Sequence, residues 1–271
     1  MKRLVIVFAL VAGGYLAVFS QQQQLVTRAL PTLTQPLPAI VQRVALGFFQ
    51  QLGAEMLFVK CAVFNGNNIP SAIMAKNANS LSSNLDVATS LYPEFIDPYY
   101  LCQATLPHIS PVYAGIANDI LARYTDLDGQ HDTIIPFFRG FNYFYYMNES
   151  QRASEVFAEL ATRDGAPSWF GHFSAILSAR GGNLYAGLIS LRSMLAVEAD
   201  EAVKQRYRDD IEVFNRAIGV EKAIQQYFAK QGFYPAALAD LVPAFIPTIP
   251  TFKSFELHWH DQVLSLDRPA R

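Results

Sequence analysis

A mostly α fold, an α-solenoid of stacked helical hairpins, is what the sequence predicts, and three observations carry the prediction. Between residues 70 and 197, helix-length apolar patterns alternate with short breakers. No alternating strand pattern interrupts them. Residues in this stretch also recur at an offset of about 34, the length of one helix–turn–helix unit. An N-terminal membrane helix and a small C-terminal β-hairpin tail complete the expected architecture.

The N-terminus comes first. Lys2 and Arg3 precede an uncharged apolar run over residues 4–19. A positive start and a short apolar run make a secretory address. The run has 16 residues, short of the roughly 20 that span a bilayer. Segment 1–24 is therefore either an uncleaved signal anchor or a cleaved signal peptide, with Val18 and Ser20 as the small residues before a cut. No Cys follows, which excludes a lipoprotein. The leading charges keep the N-terminus cytoplasmic. A single pass through residues 4–20 then anchors the chain in the cell membrane and places the rest outside the cytoplasm. Residues 25–38 carry Pro31, Pro36 and Pro38 and read as an extended linker.

From residue 39 to 64, Ile40, Val44, Phe48, Leu52, Met56, Val59 and Val63 recur at helical spacing, which predicts one long helix ended by Asn65-Gly66-Asn67-Asn68. Further helices are expected at 70–90, 96–107, 111–124, 133–147, 150–163, 167–180, 184–197 and 200–231. Tyr92-Pro93, Ser110-Pro111, residues 126–129, Ala166-Pro167 and Gly181-Gly182-Asn183 separate them.

At the 34-residue offset, Pro136 aligns with Phe170, Gly140 with Ser174, Tyr143 with Leu177, Asn148 with Gly182, Phe157 with Leu191 and Leu160 with Met194. Small Gly140 and Ala153 suit a close helix crossing, and Tyr143 and Phe157 fill the gaps beside it. Phe137, Gly140, Tyr143, Ala153, Phe157 and Ala166-Pro167 together resemble a tetratricopeptide repeat unit. Residues 97–106 with 111–124, and 54–64 with 72–91, look like two more degenerate units. The resemblance covers about four units over residues 45–197, within a repeat region taken as 39–199. It implies a superhelix that recognises a protein partner on its concave face.

Residues 200–231 form a charged helix with Val203, Tyr207, Ile211, Phe214, Ile218, Ile224 and Phe228 on one face, expected to cap the last repeat. Gly232 stops it. In the tail, 232–271, residues 255–259 and 263–266 flank Asp261-Gln262 and predict a hairpin. The pattern Gly232-x-Tyr234-Pro235-x-x-Leu238-x-x-Leu241-Val242-Pro243, ending in Ile249-Pro250, is similar to the soluble end of type II secretion major pseudopilins. That likeness runs over residues 220–266. It breaks at Thr251-Phe252-Lys253-Ser254, where the family has Asp-Pro-aromatic-Gly, and no prepilin cleavage motif is present. A pilus subunit and a calcium site are not expected.

Apolar residues make up 51% and charged residues 16%, against an ordinary charged share of about 25%. Such a chain has few solvated faces and many that are buried or covered. With a net charge of −2 and no basic stripe, nucleic-acid binding is set aside. Cys61 and Cys102 read as buried thiols, a disulfide staying open for an exported domain. His258 and His260 share a strand face, yet a third metal ligand is not visible, so no metal site is assigned. His108, His131 and His172 stand alone in the sequence. No nucleophile, acid–base pair, P-loop or dinucleotide fingerprint appears, so neither an enzyme nor a cofactor is expected.

The dense aromatics from Phe137 to Tyr146 remain. Most should pack between neighbouring helices. Some are expected to line the groove as partner anchors, since interface hot spots favour Tyr and Trp. The candidate partner-binding residues are Phe138, Tyr145, Tyr146 and Trp169. The function expected is a membrane-anchored scaffold of an envelope assembly of secretion or pilus type. A small-ligand-binding or enzyme-accessory repeat protein is the alternative.

Overall fold

The linker ahead of the first helix is extended but pinned. Leu33 is buried, and its N–H donates to Asn77 Oδ1 at 2.9 Å. The Thr34 carbonyl accepts from Asn84 Nδ2 at 3.0 Å and from Lys60 Nζ at 3.0 Å. Polar side chains of two helices thus satisfy a strand-like backbone that has no sheet to join. The computed structural model describes residues 32–66, 69–128 and 132–269, with the side chains of 125–128 left aside. The expected signal or anchor, residues 1–24, and the start of the linker lie outside the described residues.

Helix α1 (Ala39–Leu46) is followed by a short 3-10 turn (Gly47–Phe49) and α2 (Gln50–Asn65). The sequence predicts one helix here. It breaks because Gly47 sits at φ +56°, a left-handed conformation that glycine tolerates and that turns α1 away from α2. Leu46 then folds against Gly53.

Helices α3 (Ser71–Leu91), α4 (Asp97–Thr105) and α5 (Pro111–Asp128) come next. Leu81, Leu85, Tyr99, Cys102, Leu106 and Leu121 close one core among them, joined by Cys61 and Phe64 of α2. The Tyr99 hydroxyl donates to the Pro93 carbonyl at 2.9 Å. Neither cysteine is bonded. Burial pushes the Cys61 thiol up to about 12 and raises that of Cys102 as well, which keeps both as unreactive packing groups.

The next four helices span the stretch whose sequence recurs at the 34-residue offset. They are α6 (Ile134–Phe141), continued by a π turn (Asn142–Tyr146), then α7 (Ser150–Leu160), α8 (Trp169–Arg180) and α9 (Leu184–Val197). Asn148 and Gly182, 34 residues apart, are both left-handed, at φ +55° and +87°. Each opens the tight turn inside its hairpin. Their neighbours match too: Ser150 and Leu184 are buried, as are Phe157 and Leu191. Neighbouring helices run antiparallel. The start of α7 (Gln151) touches the end of α8 (Gly181), while Ala161 just past α7 touches Gly171 near the start of α8. Between these ends, Ser154 Oγ donates to the Ser174 carbonyl at 3.0 Å and Ser174 Oγ to the Ser154 carbonyl at 2.8 Å, both buried. Phe157 lies against Gly140, where an added Cβ would sit 2.9 Å from its ring.

The long helix α10 (Glu201–Gln231) starts on Asp200, whose carboxylate accepts from the Ala202 and Val203 N–H groups, and ends on left-handed Gly232. Tyr207, Phe214 and Ile218 pack it on Leu188 and Leu191 of α9. Strands β1 (Glu256–His260) and β2 (Val263–Asp267) pair antiparallel, with Glu256 opposite Asp267 and His260 opposite Val263. Asp261 and Gln262 both take positive φ, which gives the expected two-residue turn. Leu264 and Leu266 bury one face of the hairpin in the core that holds Phe214 and Phe255. Of the described residues, 69% are helical.

Candidate functional site

Helix α6 offers rings on nearly every side, and one polar residue near its end is held by its neighbours. Asn142 is fully buried. Its amide exchanges hydrogen bonds with Gln103 of α4 at 2.8 and 2.9 Å and donates to Asn118 of α5 at 2.9 Å. A buried amide must be satisfied, and this network does so fully. Here the main chain widens to a π turn, with the Met147 N–H donating to the Asn142 carbonyl at 3.0 Å. One extra residue in a turn rotates the residues beyond it by about 100°. Tyr145 lies flat on Phe141, its i,i+4 neighbour, with centroids 5.2 Å apart and planes at 10°.

The result is a chain of touching rings. Tyr100 of α4 meets Phe138 of α6 edge-on at 5.9 Å. Phe138 continues to Phe137 at 6.2 Å, Phe137 to Phe141 at 6.1 Å, and Phe137 to Trp169 of α8 at 6.0 Å. These separations suit aromatic pairing. Helices α4, α6 and α8 each open a hairpin, so the strip crosses three successive units. Its ends and middle stand in water: Tyr100 is 38% exposed, Tyr145 65% and Trp169 47%.

Of the four residues singled out in the sequence, Tyr145 and Trp169 are thus open to a partner. Phe138 is half-buried as the link to Tyr100. Tyr146 is also half-buried, with its hydroxyl 3.0 Å from His108 Nδ1 and its phenol raised by desolvation and then by Tyr145. Tyr100 was not singled out. Its signal is the Tyr99-Tyr100 pair in the first turn of a hairpin-opening helix, where one ring goes to the core and the next must face outward.

The titratable groups make structural pairs. His172, alone in the sequence, meets Asp210 of α10 at 2.7 Å, and Arg268 of the tail reaches the same carboxylate at 3.5 Å. This buried cluster ties α8, α10 and the tail together. His131 lies outside the described residues. His258 and His260 are exposed on one face of β1, beside Glu256 at 4.0 Å and Asp261 at 3.2 Å. Among the described residues no three ligand-type side chains converge. Burial raises the Glu221 carboxyl. A polar cleft of about 670 Å³ opens where the α7 start meets β2, bordered by the ion pairs Arg152–Glu149 at 2.9 Å and Arg180–Asp267 at 3.3 Å.

No protein-family model, curated protein or solved structure matches this chain. Its chemistry therefore has to be read from its own surface. Among the described residues no helix is long and apolar enough to cross a membrane, and the expected membrane segment, residues 4–20, is not among them.

Proposed function

We propose that the chain is a membrane-anchored protein of tetratricopeptide-like α-solenoid architecture. It binds a protein partner along the aromatic strip and so scaffolds an envelope assembly of secretion or pilus type. One observation carries this reading: rings in contact from Tyr100 to Trp169, spread over three hairpins and open to water at Tyr100, Tyr145 and Trp169. Folding alone gives no reason to leave such rings outside. Tyr and Trp with a fixed base supply large contact area at small entropic cost, which is what interface anchors need. The antiparallel hairpins with matched turns support the repeat architecture. The charged start and apolar run support the anchor. The pseudopilin-like tail supports an envelope setting; because its hairpin is folded into the core of the last units, it serves as a cap here.

A photo-reactive phenylalanine analogue placed at Tyr145 or Trp169 in the full chain, irradiated in cells, is expected to give the same covalent protein adduct from both sites. The same analogue at Val112 or Val197, exposed elsewhere at 71% and 84%, should not give it. The double variant Tyr145→Ala, Trp169→Ala should lose that partner while its unfolding temperature moves little, since both rings are largely solvated. Equal labelling from all four sites, or undiminished capture by the double variant, would refute the assignment.

A further inference from the structure

An extended apolar surface lies at the other end of the described chain from the tail. On α1 and α2, Ile40 (70%), Val44 (83%), Phe48 (91%), Leu52 (53%), Met56 (67%) and Val59 (56%) are all exposed. Ile40 and Val44 share one face of α1, Leu52, Met56 and Val59 share one face of α2, and Phe48 stands at the bend between them. The opposite face of α2 is committed to the core through Ala54, Cys61 and Phe64. A helical stack needs a polar outer face on its terminal unit, and this terminal unit presents the reverse. The bend at Gly47 sets Phe48 and Phe49, rings 4.9 Å apart, at its corner.

Two facts say what covers this face. The first is charge. Lys2 and Arg3 stand across the membrane from this face in the anchored reading, but residues 20–85 still hold four basic residues (Arg28, Arg43, Lys60, Lys76) and one acid, Glu55, whereas residues 86–271 hold 15 basic and 22 acidic. The net −2 of the whole chain hides a basic N-terminal third that carries the apolar face. An apolar helical face in a basic, acid-poor setting, with Phe among its apolar residues, is the composition of a helix that lies in an anionic lipid interface. The second is reach. Leu33 is fixed on Asn77, so only 13 residues lie between it and Phe19, where the apolar run ends. Fully extended they span at most about 50 Å, and the face cannot move further than that from an anchored run.

We infer that the α1–α2 face is a membrane-contacting surface, seated in the headgroup layer of an anionic bilayer so that the first helical unit rests on the membrane. The inference rests on the anchored reading above. A soluble partner protein would have no need of the basic bias, and a second copy of the chain would bring like charge against like. Seated this way, the unit fixes how the stack leaves the membrane, and an otherwise flexible tether becomes an oriented mount.

The test uses the full chain in vesicles of phosphatidylcholine with a minority of phosphatidylglycerol. Nitroxide labels go on single cysteines at Val44, Met56 and Val59, with Val112 and Val197 as exposed controls and Leu10 reporting the anchor. Cys61 and Cys102 are buried and slow to react, and the unsubstituted chain gives their background. Collision with lipid-soluble oxygen relative to a water-soluble nickel chelate is expected to be severalfold higher at 44, 56 and 59 than at 112 and 197. Omitting phosphatidylglycerol should shrink the difference. Labels at 44 and 56 as open to nickel as the control at 197 would overturn the inference. So would spin–spin broadening between copies, or shielding from both reagents by the chain's own N-terminal segment. A lipid-buried label at Leu10 with water-exposed labels at 44 and 56 would sink this inference and leave the anchor standing. A water-exposed label at Leu10 would remove the anchor itself.

Discussion

Phe157→Ala is expected to lower the unfolding free energy by about 3–5 kcal/mol, the range for removing a fully buried aromatic ring. Phe157 has no solvent exposure and is the ring on which two hairpins meet. It faces Phe137 at 5.8 Å, Phe170 at 6.0 Å and Phe173 at 4.9 Å, from α6 and α8. It also covers Gly140 of α6, where an added Cβ would sit 2.9 Å from its ring. Collapse into the cavity is hindered because Gly140 has no side chain to offer. Thermal unfolding of the full chain, followed by far-ultraviolet circular dichroism, reads the loss. Phe157→Leu should restore much of it. A drop below about 1 kcal/mol for the alanine variant would mean that the ring is not core.

The second large effect runs against propensity. Glycine in a helix interior costs up to about 1 kcal/mol relative to alanine, so Gly187→Ala in α9 would ordinarily stabilise. Here an added Cβ would lie 2.7 Å from the Ala175 carbonyl oxygen of α8 and 2.5 Å from the Phe214 ring of α10. A ring can turn aside, but the α8 backbone cannot move without disturbing the whole hairpin. Overpacking of this kind typically costs 1–3 kcal/mol, and we expect a net loss of about 2 kcal/mol. The same unfolding measurement on Gly219→Ala, where nothing crowds the Cβ, should show no loss. A stabilised Gly187→Ala would contradict the close approach of α8, α9 and α10.

What could be read from the sequence and what could not divide along a physical line. Local signals were legible. The offset aligning Asn148 with Gly182 picked out two turns that share a left-handed conformation, because the residues that tolerate it are few. Asp261-Gln262 between two apolar runs is legible for the same reason, and Gly140 with Phe157 because only a residue without a side chain admits a ring so close. Periodicity failed where it was blind to φ: the apolar spacing runs straight through Gly47, although the backbone breaks there. It was blind also to what covers a face, so Ile40 to Val59 read as any helix would, and only the fold shows them outside. Long-range polar pairing was out of reach. Asn142 meets Gln103 across 39 residues, His172 meets Asp210 across 38, and Leu33 meets Asn77 across 44. For the site, the aromatic density of α6 was plain from composition. That Tyr145 is open and Tyr146 half-covered goes with the π turn beside Asn142, whereas the exposure of Phe138 and Trp169, outside that turn, is set by packing between helices.

Everything proposed for the strip requires α6 to α9 to stack as antiparallel hairpins, and one cross-link tests that directly. In the structure a Cβ on Gly181 would stand 3.3 Å from the Cβ of Gln151, close to the spacing a disulfide takes. The two sites lie at opposite ends of their helices, so parallel or separated helices would hold them far apart. The full chain carrying Gln151→Cys and Gly181→Cys should form this intrachain disulfide on mild oxidation, seen as a reductant-sensitive mobility shift absent from either single variant. Failure of the double variant to close beyond the single-variant background would contradict the stacked hairpins and remove the base of the aromatic strip.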